Sequence, residues 1–155
     1  MNKIAKAVIL FIAQGAYSGK SPFAPGTAGT VVGVLLYLLV KGLGTAGYLA
    51  AAAAVIVIGI WTAGRAEVLL GHKDAPTIVI DEIAGYLVAM FLVPSGWGFV
   101  VAGFFLFRFF DIAKLWPLNR LEDLRGGLGV MLDDIGAGIY TNAFLQAASY
   151  LIGRG

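Results

Sequence analysis

Two groups of charged residues in this chain have types and spacing suited to chemistry. Asp81 and Glu82 interrupt an apolar run, TIVIDEIAGYLVAM, and Arg108, Asp111, Lys114, Asp133 and Asp134 lie within residues 107–141. That second stretch holds nine of the chain's 20 Asp, Glu, Lys and Arg residues. Ionisable groups in apolar segments are expensive and usually face a cavity or a partner. The i, i+3, i+6 spacing of Arg108, Asp111 and Lys114 sets the acid between two cations on one helix face, where it stays ionised. On a helix, Asp133 and Asp134 point about 100° apart. One can therefore face a site while the other caps the helix or supports a neighbour. Carboxylates that meet repel one another without a cation. Oxygen ligands, with no cysteine and a single histidine in the chain, suit a hard ion such as Mg²⁺, whose shell is commonly completed by water and phosphate. The three acidic groups, Asp81–Glu82, Asp111 and Asp133–Asp134, are thus candidates to share such an ion, with Arg108 or Lys114 holding a phosphate oxygen. Plainer readings stay open: acids at a helix N-terminus for Asp81–Glu82, and an intrahelical salt-bridge ladder for Arg108–Asp111–Lys114.

A third segment, SPFAPGTAGT at residues 21–30, joins two prolines and two glycines to hydroxyls. It reads as irregular backbone leading into a helix from Ala28. Its amides and the hydroxyls of Ser21, Thr27 and Thr30 could bind an anion, although a plain turn explains it as well. His72 reads as a loop histidine.

The elements that position these groups follow from hydropathy. Hydrophobic residues make up 59% of the 155, charged residues 13%, and mean hydropathy is +0.87; soluble domains average roughly 25% charged. Lipid is therefore the expected solvent for much of the surface. The pattern gives a short N-terminal helix over 4–16 and apolar helices over 28–40, 42–64, 78–93, 97–110 and 135–152. Residues 41–44 and 94–96 form tight turns, and 114–134 a loop. Small residues at 50–54 would allow close helix packing. Glu82 lies 12 residues before Pro94 and Arg108 lies 12 after Gly96, so both sit ~18 Å from the hairpin turn at ~1.5 Å rise per residue. No strand alternation or internal repeat is present. The expected fold is all-α, a single compact membrane bundle over residues 1–155.

Composition also excludes. Without cysteine there is no disulfide framework, thiolate site or cysteine phosphoenzyme, and one histidine excludes two-histidine mechanisms. A net charge of +2, with no basic run interleaved with aromatics, argues against nucleic acid. Nine basic residues fall on the side of the acids, and only Lys41 and Arg154 on the other. The positive-inside rule then places the acids at the cytoplasmic face.

Three blocks, SPFAPGTAGT (21–30), IVIDEIAG (78–85) and FRFFDIAKLWPLNRLEDLRGGLGVMLDDIGAG (107–138), resemble the phosphatidylglycerophosphatase A family in content, order and spacing. Leu124-Arg125 stands where the family pattern is more polar. The resemblance implies a Mg²⁺-dependent hydrolase of phosphatidylglycerophosphate in the bacterial inner (cytoplasmic) membrane, and a fold with a central helix surrounded by others. It carries the roles of metal ligand and catalytic acid to Asp81, Glu82, Asp111, Asp133 and Asp134, and matches Arg108 and Lys114. Asp81, Asp111 and Asp134 are the expected catalytic residues. Attack by water and attack by an aspartate are both open. The rival readings are a small cation or proton transporter and a structural membrane subunit.

Overall fold

The computed structural model describes every residue except Pro117, Glu122, Asp123, Arg125, Arg154 and Gly155, with backbone alone for Asn119 and Leu121. The described residues are helical with no strand: α1 (Lys3–Ala13), a 3-10 turn (Ser18–Lys20), α2 (Pro25–Val40), α3 (Gly44–Leu70), α4 (Ile80–Ala89), α5 (Trp97–Ala113), the single turn α6 (Leu118–Leu121) and α7 (Gly127–Ile152).

Local chemistry sets the boundaries. The Asn2 side chain accepts from the Ala5 amide at 2.8 Å and caps α1. α2 begins at Pro25, whose fixed φ and missing N–H suit a first helical position. It therefore starts three residues earlier than the sequence suggests, and the prolines and glycines of 21–30 do not keep the whole block irregular. α3 continues six residues past Gly64, through Arg65 and Glu67, and stops at Gly71 with φ +69°. α5 ends on Lys114, a non-glycine residue at φ +41°.

α4 is the centre. Eight of its ten residues are buried, and α2, α3, α5 and α7 all pack against it. Its short length follows from that position, since the chain turns at Met90–Pro94 and helix does not run on to Val93. Tyr86 and Tyr48 place rings in this core and donate their hydroxyls to the carbonyls of Val100 (3.0 Å) and Leu87 (2.6 Å), so neither polar tip is stranded.

At 50–54, Ala52 is buried in the core while Ala50, Ala53 and Ala54 are exposed. Close backbone approaches lie at two glycine pairs. A Cβ on Gly138 would collide with the Gly85 carbonyl, and one on Gly85 would meet the Asp134 carbonyl at 2.7 Å. A Cβ on Gly127 would strike the Ile60 carbonyl on α3, and one on Gly64 would meet the Gly127 amide at 2.9 Å. The second pair explains the late segment. Gly126–Gly129, read from sequence as loop, opens α7, so Asp133 and Asp134 sit in its second turn and do not begin the helix. The loop expected over 114–134 falls partly outside the described residues, as do Arg125 and Arg154.

Large apolar side chains also cover the outside: Leu35 and Leu39 on α2, Val57 and Trp61 on α3, Phe105 and Phe109 on α5, and Phe144 and Leu151 on α7 are exposed. One helix among the described residues, α3, is long and apolar enough to cross a membrane.

Candidate active site

The N-terminal end of α4, the N-terminus of α2, the C-terminal end of α5, the second turn of α7 and residues 74–78 enclose a cleft of about 350 Å³. Among the described residues, six carboxylates (Asp74, Asp81, Glu82, Asp111, Asp133 and Asp134) and two cations (Arg108 and Lys114) line it. With all of them ionised, the cleft carries an excess of four negative charges.

The sequence-nominated acids do not all play one part. Asp81, Glu82 and Asp134 each offer an oxygen, and the three oxygens lie within 4.8 Å of one another. Glu82 Oε2 and Asp134 Oδ2 are buried with no hydrogen-bond partner, a costly state for an ionised group. Asp111 stands beside this trio but is engaged at 2.6 Å by Arg108 Nη1, which also lies 3.7 Å from Glu82 Oε1. The hairpin register thus brings Glu82 and Arg108 together. Asp133 turns the other way, and Lys114 Nζ donates to its Oδ2 at 3.1 Å. The left-handed backbone at Lys114 lets α5 end there.

These acids lie on helices other than α3, the one described helix long and apolar enough to cross a membrane. Burial pushes the carboxyls of Asp81 and Asp134 well above the ordinary range; Glu82 and then Asp134 add to this at Asp81, and Asp111 and then Glu82 at Asp134. Burial also raises Glu82, opposed first by a hydrogen bond with Asp81 and then by Arg108, and raises Asp133, opposed by Lys114. The cluster wants either protons or a cation. An all-oxygen donor set with two orphaned oxygens fits a hard divalent ion.

Of the hydroxyls expected to bind an anion, Thr27 lines the cleft. Thr30 is fully buried and donates to the Gly26 carbonyl at 2.9 Å, within α2. Ser21 closes the 3-10 turn, three residues before the first lining residue of that segment, Ala24. Gly26 is pressed onto the site: a Cβ there would collide with Glu82 Oε1 and meet the Arg108 guanidinium at 2.9 Å. Sequence reasoning missed Asp74, which is held at φ +47° while its amide donates to Glu67 Oε1 at 2.7 Å. An acid two residues ahead of Pro76 was the available signal. His72 is an exposed loop residue, its Nδ1 2.7 Å from the Lys73 carbonyl. Among the described residues, the apolar groove between α3, α4 and α7 has Tyr48 as its one ionisable side chain, and that hydroxyl is already engaged.

The family model described as phosphatidylglycerophosphatase A matches residues 11–149, nearly the whole chain. The chain belongs to the phosphatidylglycerophosphatase A family. Proteins named phosphatidylglycerophosphatase A from Haemophilus influenzae and Escherichia coli are 36% and 33% identical to it. Each alignment covers 92% of this chain, and 89% and 82% of those relatives. A Bacteroides thetaiotaomicron protein named "Putative phosphatidylinositol-3-phosphatase" is 38% identical over 93% of this chain and 95% of its own. No solved structure matches.

Proposed function

We propose that this protein is a Mg²⁺-dependent phosphatase that hydrolyses phosphatidylglycerophosphate to phosphatidylglycerol and inorganic phosphate. The observation that carries this reading is the trio Asp81, Glu82 and Asp134, oxygens within 4.8 Å of one another, beside Arg108 and Lys114 in one cleft. The trio would hold Mg²⁺, with Asp111 at its edge; bound there, the ion would offset half of the cleft's excess negative charge and polarise a phosphate. Arg108 and Lys114 would take phosphate oxygens. The first amides of α2 and the Thr27 hydroxyl would add donors at a helix N-terminus. Water would end on phosphorus, the bond to the lipid glycerol oxygen would break, and that oxygen would take up the proton. Asp81, Asp111 or Asp134 would take the proton from water and pass it on; were one of them to attack phosphorus instead, water would then hydrolyse the resulting acyl phosphate to free inorganic phosphate. Exposed apolar faces and one helix long enough to span support residence in a bacterial inner membrane. The charge asymmetry supports a site facing the cytoplasm. Arg108 and Lys114, two cations beside the acids that could hold phosphate oxygens, favour hydrolysis over cation transport.

Purified protein in detergent should release phosphate from phosphatidylglycerophosphate with Mg²⁺ and stop with EDTA. Phosphatidylinositol 3-phosphate, assayed beside it, tests the headgroup. Release from that lipid alone, or from neither, would overturn the reading. Because the ion would relieve repulsion among buried acids, saturating Mg²⁺ should raise the melting temperature of metal-free protein by about 5 °C or more. No change in melting would remove the trio as the metal site.

Asp133 gives a graded prediction. It is bonded to Lys114 and not aimed at the trio, so Asp133→Asn should lower turnover about tenfold, by loosening Lys114. The Mg²⁺-dependent rise in melting should remain. Loss of that rise would make Asp133 a metal ligand after all.

A further inference from the structure

The cleft has two apolar lips that the chemistry above does not use. Phe23, bracketed by Pro22 and Pro25, is 95% exposed, more than any other large hydrophobic side chain described. It precedes Ala24–Thr27, which line the cleft. Three residues of fully extended chain span at most about 11 Å, so Phe23 stands within that distance of Gly26, the backbone pressed against Glu82 and Arg108. At the α5 end of the cleft, Ile112 and Trp116 are 71% and 70% exposed and flank in sequence the cleft residues Asp111 and Lys114. Nothing inside the fold asks for these side chains to be apolar.

Resting on the phosphatase reading, we infer that Phe23 ahead of α2 and Ile112–Trp116 at the α5 end dip into an anionic phospholipid bilayer, so that a lipid headgroup enters the cleft sideways from the membrane. Three observations fit that occupant. Aromatic side chains favour the headgroup level of a bilayer. The lips are continuous with a cleft whose cations and amides suit a phosphate at that same level. Basic charge accompanies the first lip, where Lys20 Nζ lies 4.2 Å above the exposed Tyr17 ring and can meet an anionic surface. The prolines hold Phe23 outward at little entropic cost.

The chain has no cysteine, so single nitroxide labels report depth directly. Phe23→Cys, Trp116→Cys and, as a control at the α2–α3 turn, Lys41→Cys would be labelled in vesicles of phosphatidylglycerol and phosphatidylcholine. Labels on Phe23→Cys and Trp116→Cys should collide with oxygen and be shielded severalfold more from an aqueous nickel chelate than the label on Lys41→Cys. Equal nickel access at all three would overturn the inference. So would shielding from both oxygen and nickel, because that would mean coverage by protein. Labels in lipid together with no phosphate release would leave this docking intact and sink the phosphatase reading instead. In the active protein, Phe23→Ser should raise the apparent KM for vesicle-borne lipid about fivefold with kcat within twofold. A fall in kcat at constant KM would assign Phe23 another role.

Discussion

Asp134→Asn should reduce Mg²⁺-dependent phosphate release by about three orders of magnitude or more, within the range expected for losing a group that acts on the transferring proton or holds the ion. The replacement is isosteric, so the fold has no reason to fail. Asp134 is 3% exposed, and its Oδ2 has no partner among protein groups. An amide cannot replace the negative charge that draws a cation to this point. The same change removes one of the mutually repelling buried groups. In EDTA, therefore, the Asn variant should melt at or above the unaltered protein, and it should not respond to added Mg²⁺. Inactivity alone could come from damage. Inactivity with undiminished metal-free stability and a lost metal response could not. Retained turnover, or a retained Mg²⁺ shift, would exclude Asp134 from the centre of the site.

Gly138→Val should be among the most damaging changes outside the charged cluster. The new Cβ would collide with the Gly85 carbonyl and meet Val88 Cβ at 3.1 Å. The first obstacle is backbone, so relief requires α4 and α7 to separate. Overpacking of this kind costs about 1–3 kcal/mol and occasionally more. The functional loss should exceed the loss of stability. Asp81 and Glu82 hang from α4 while Asp134 hangs from α7 one turn before Gly138, and a misplacement of about 1 Å between reacting groups can cost 100-fold. Turnover should thus fall at least about 100-fold even at temperatures where circular dichroism still shows folded helix. Gly98→Ala is the matched control. Its Cβ would meet nothing within 4 Å, and an alanine in a helix should gain up to about 1 kcal/mol. If Gly138→Val behaved like Gly98→Ala, the α4–α7 contact would not set the site.

Hydropathy made the helices legible because burial and apolar exterior both demand uninterrupted apolar runs. The depth match of Glu82 and Arg108 followed from helical rise alone, and the two meet in the structure. Helix ends were harder. Pro25 and Gly126–Gly129 look like breakers in one dimension, yet one suits a first helical turn and the other lets two backbones touch. The cleft acids were visible as a set, but not their division of labour. That Asp133 goes to Lys114 while Asp134 joins Asp81 and Glu82 depends on the rotation of α7 against α4. Two glycines with no side chain to signal their role fix that rotation. Asp74 was lost because its place depends on a tertiary hydrogen bond from its amide to Glu67.

The apolar exterior has a practical consequence. The charged cleft depends on α4, which is enclosed on all sides by α2, α3, α5 and α7. Leu39, Val57, Phe105 and Leu151 point away from that enclosure. The groups that would do chemistry and the groups that would choose the solvent are therefore separate sets of residues. Recoding the outer set to Lys, Glu and Gln would yield a detergent-free version of the molecule with its inner scaffold untouched, in which the cleft could be titrated with Mg²⁺ in plain buffer.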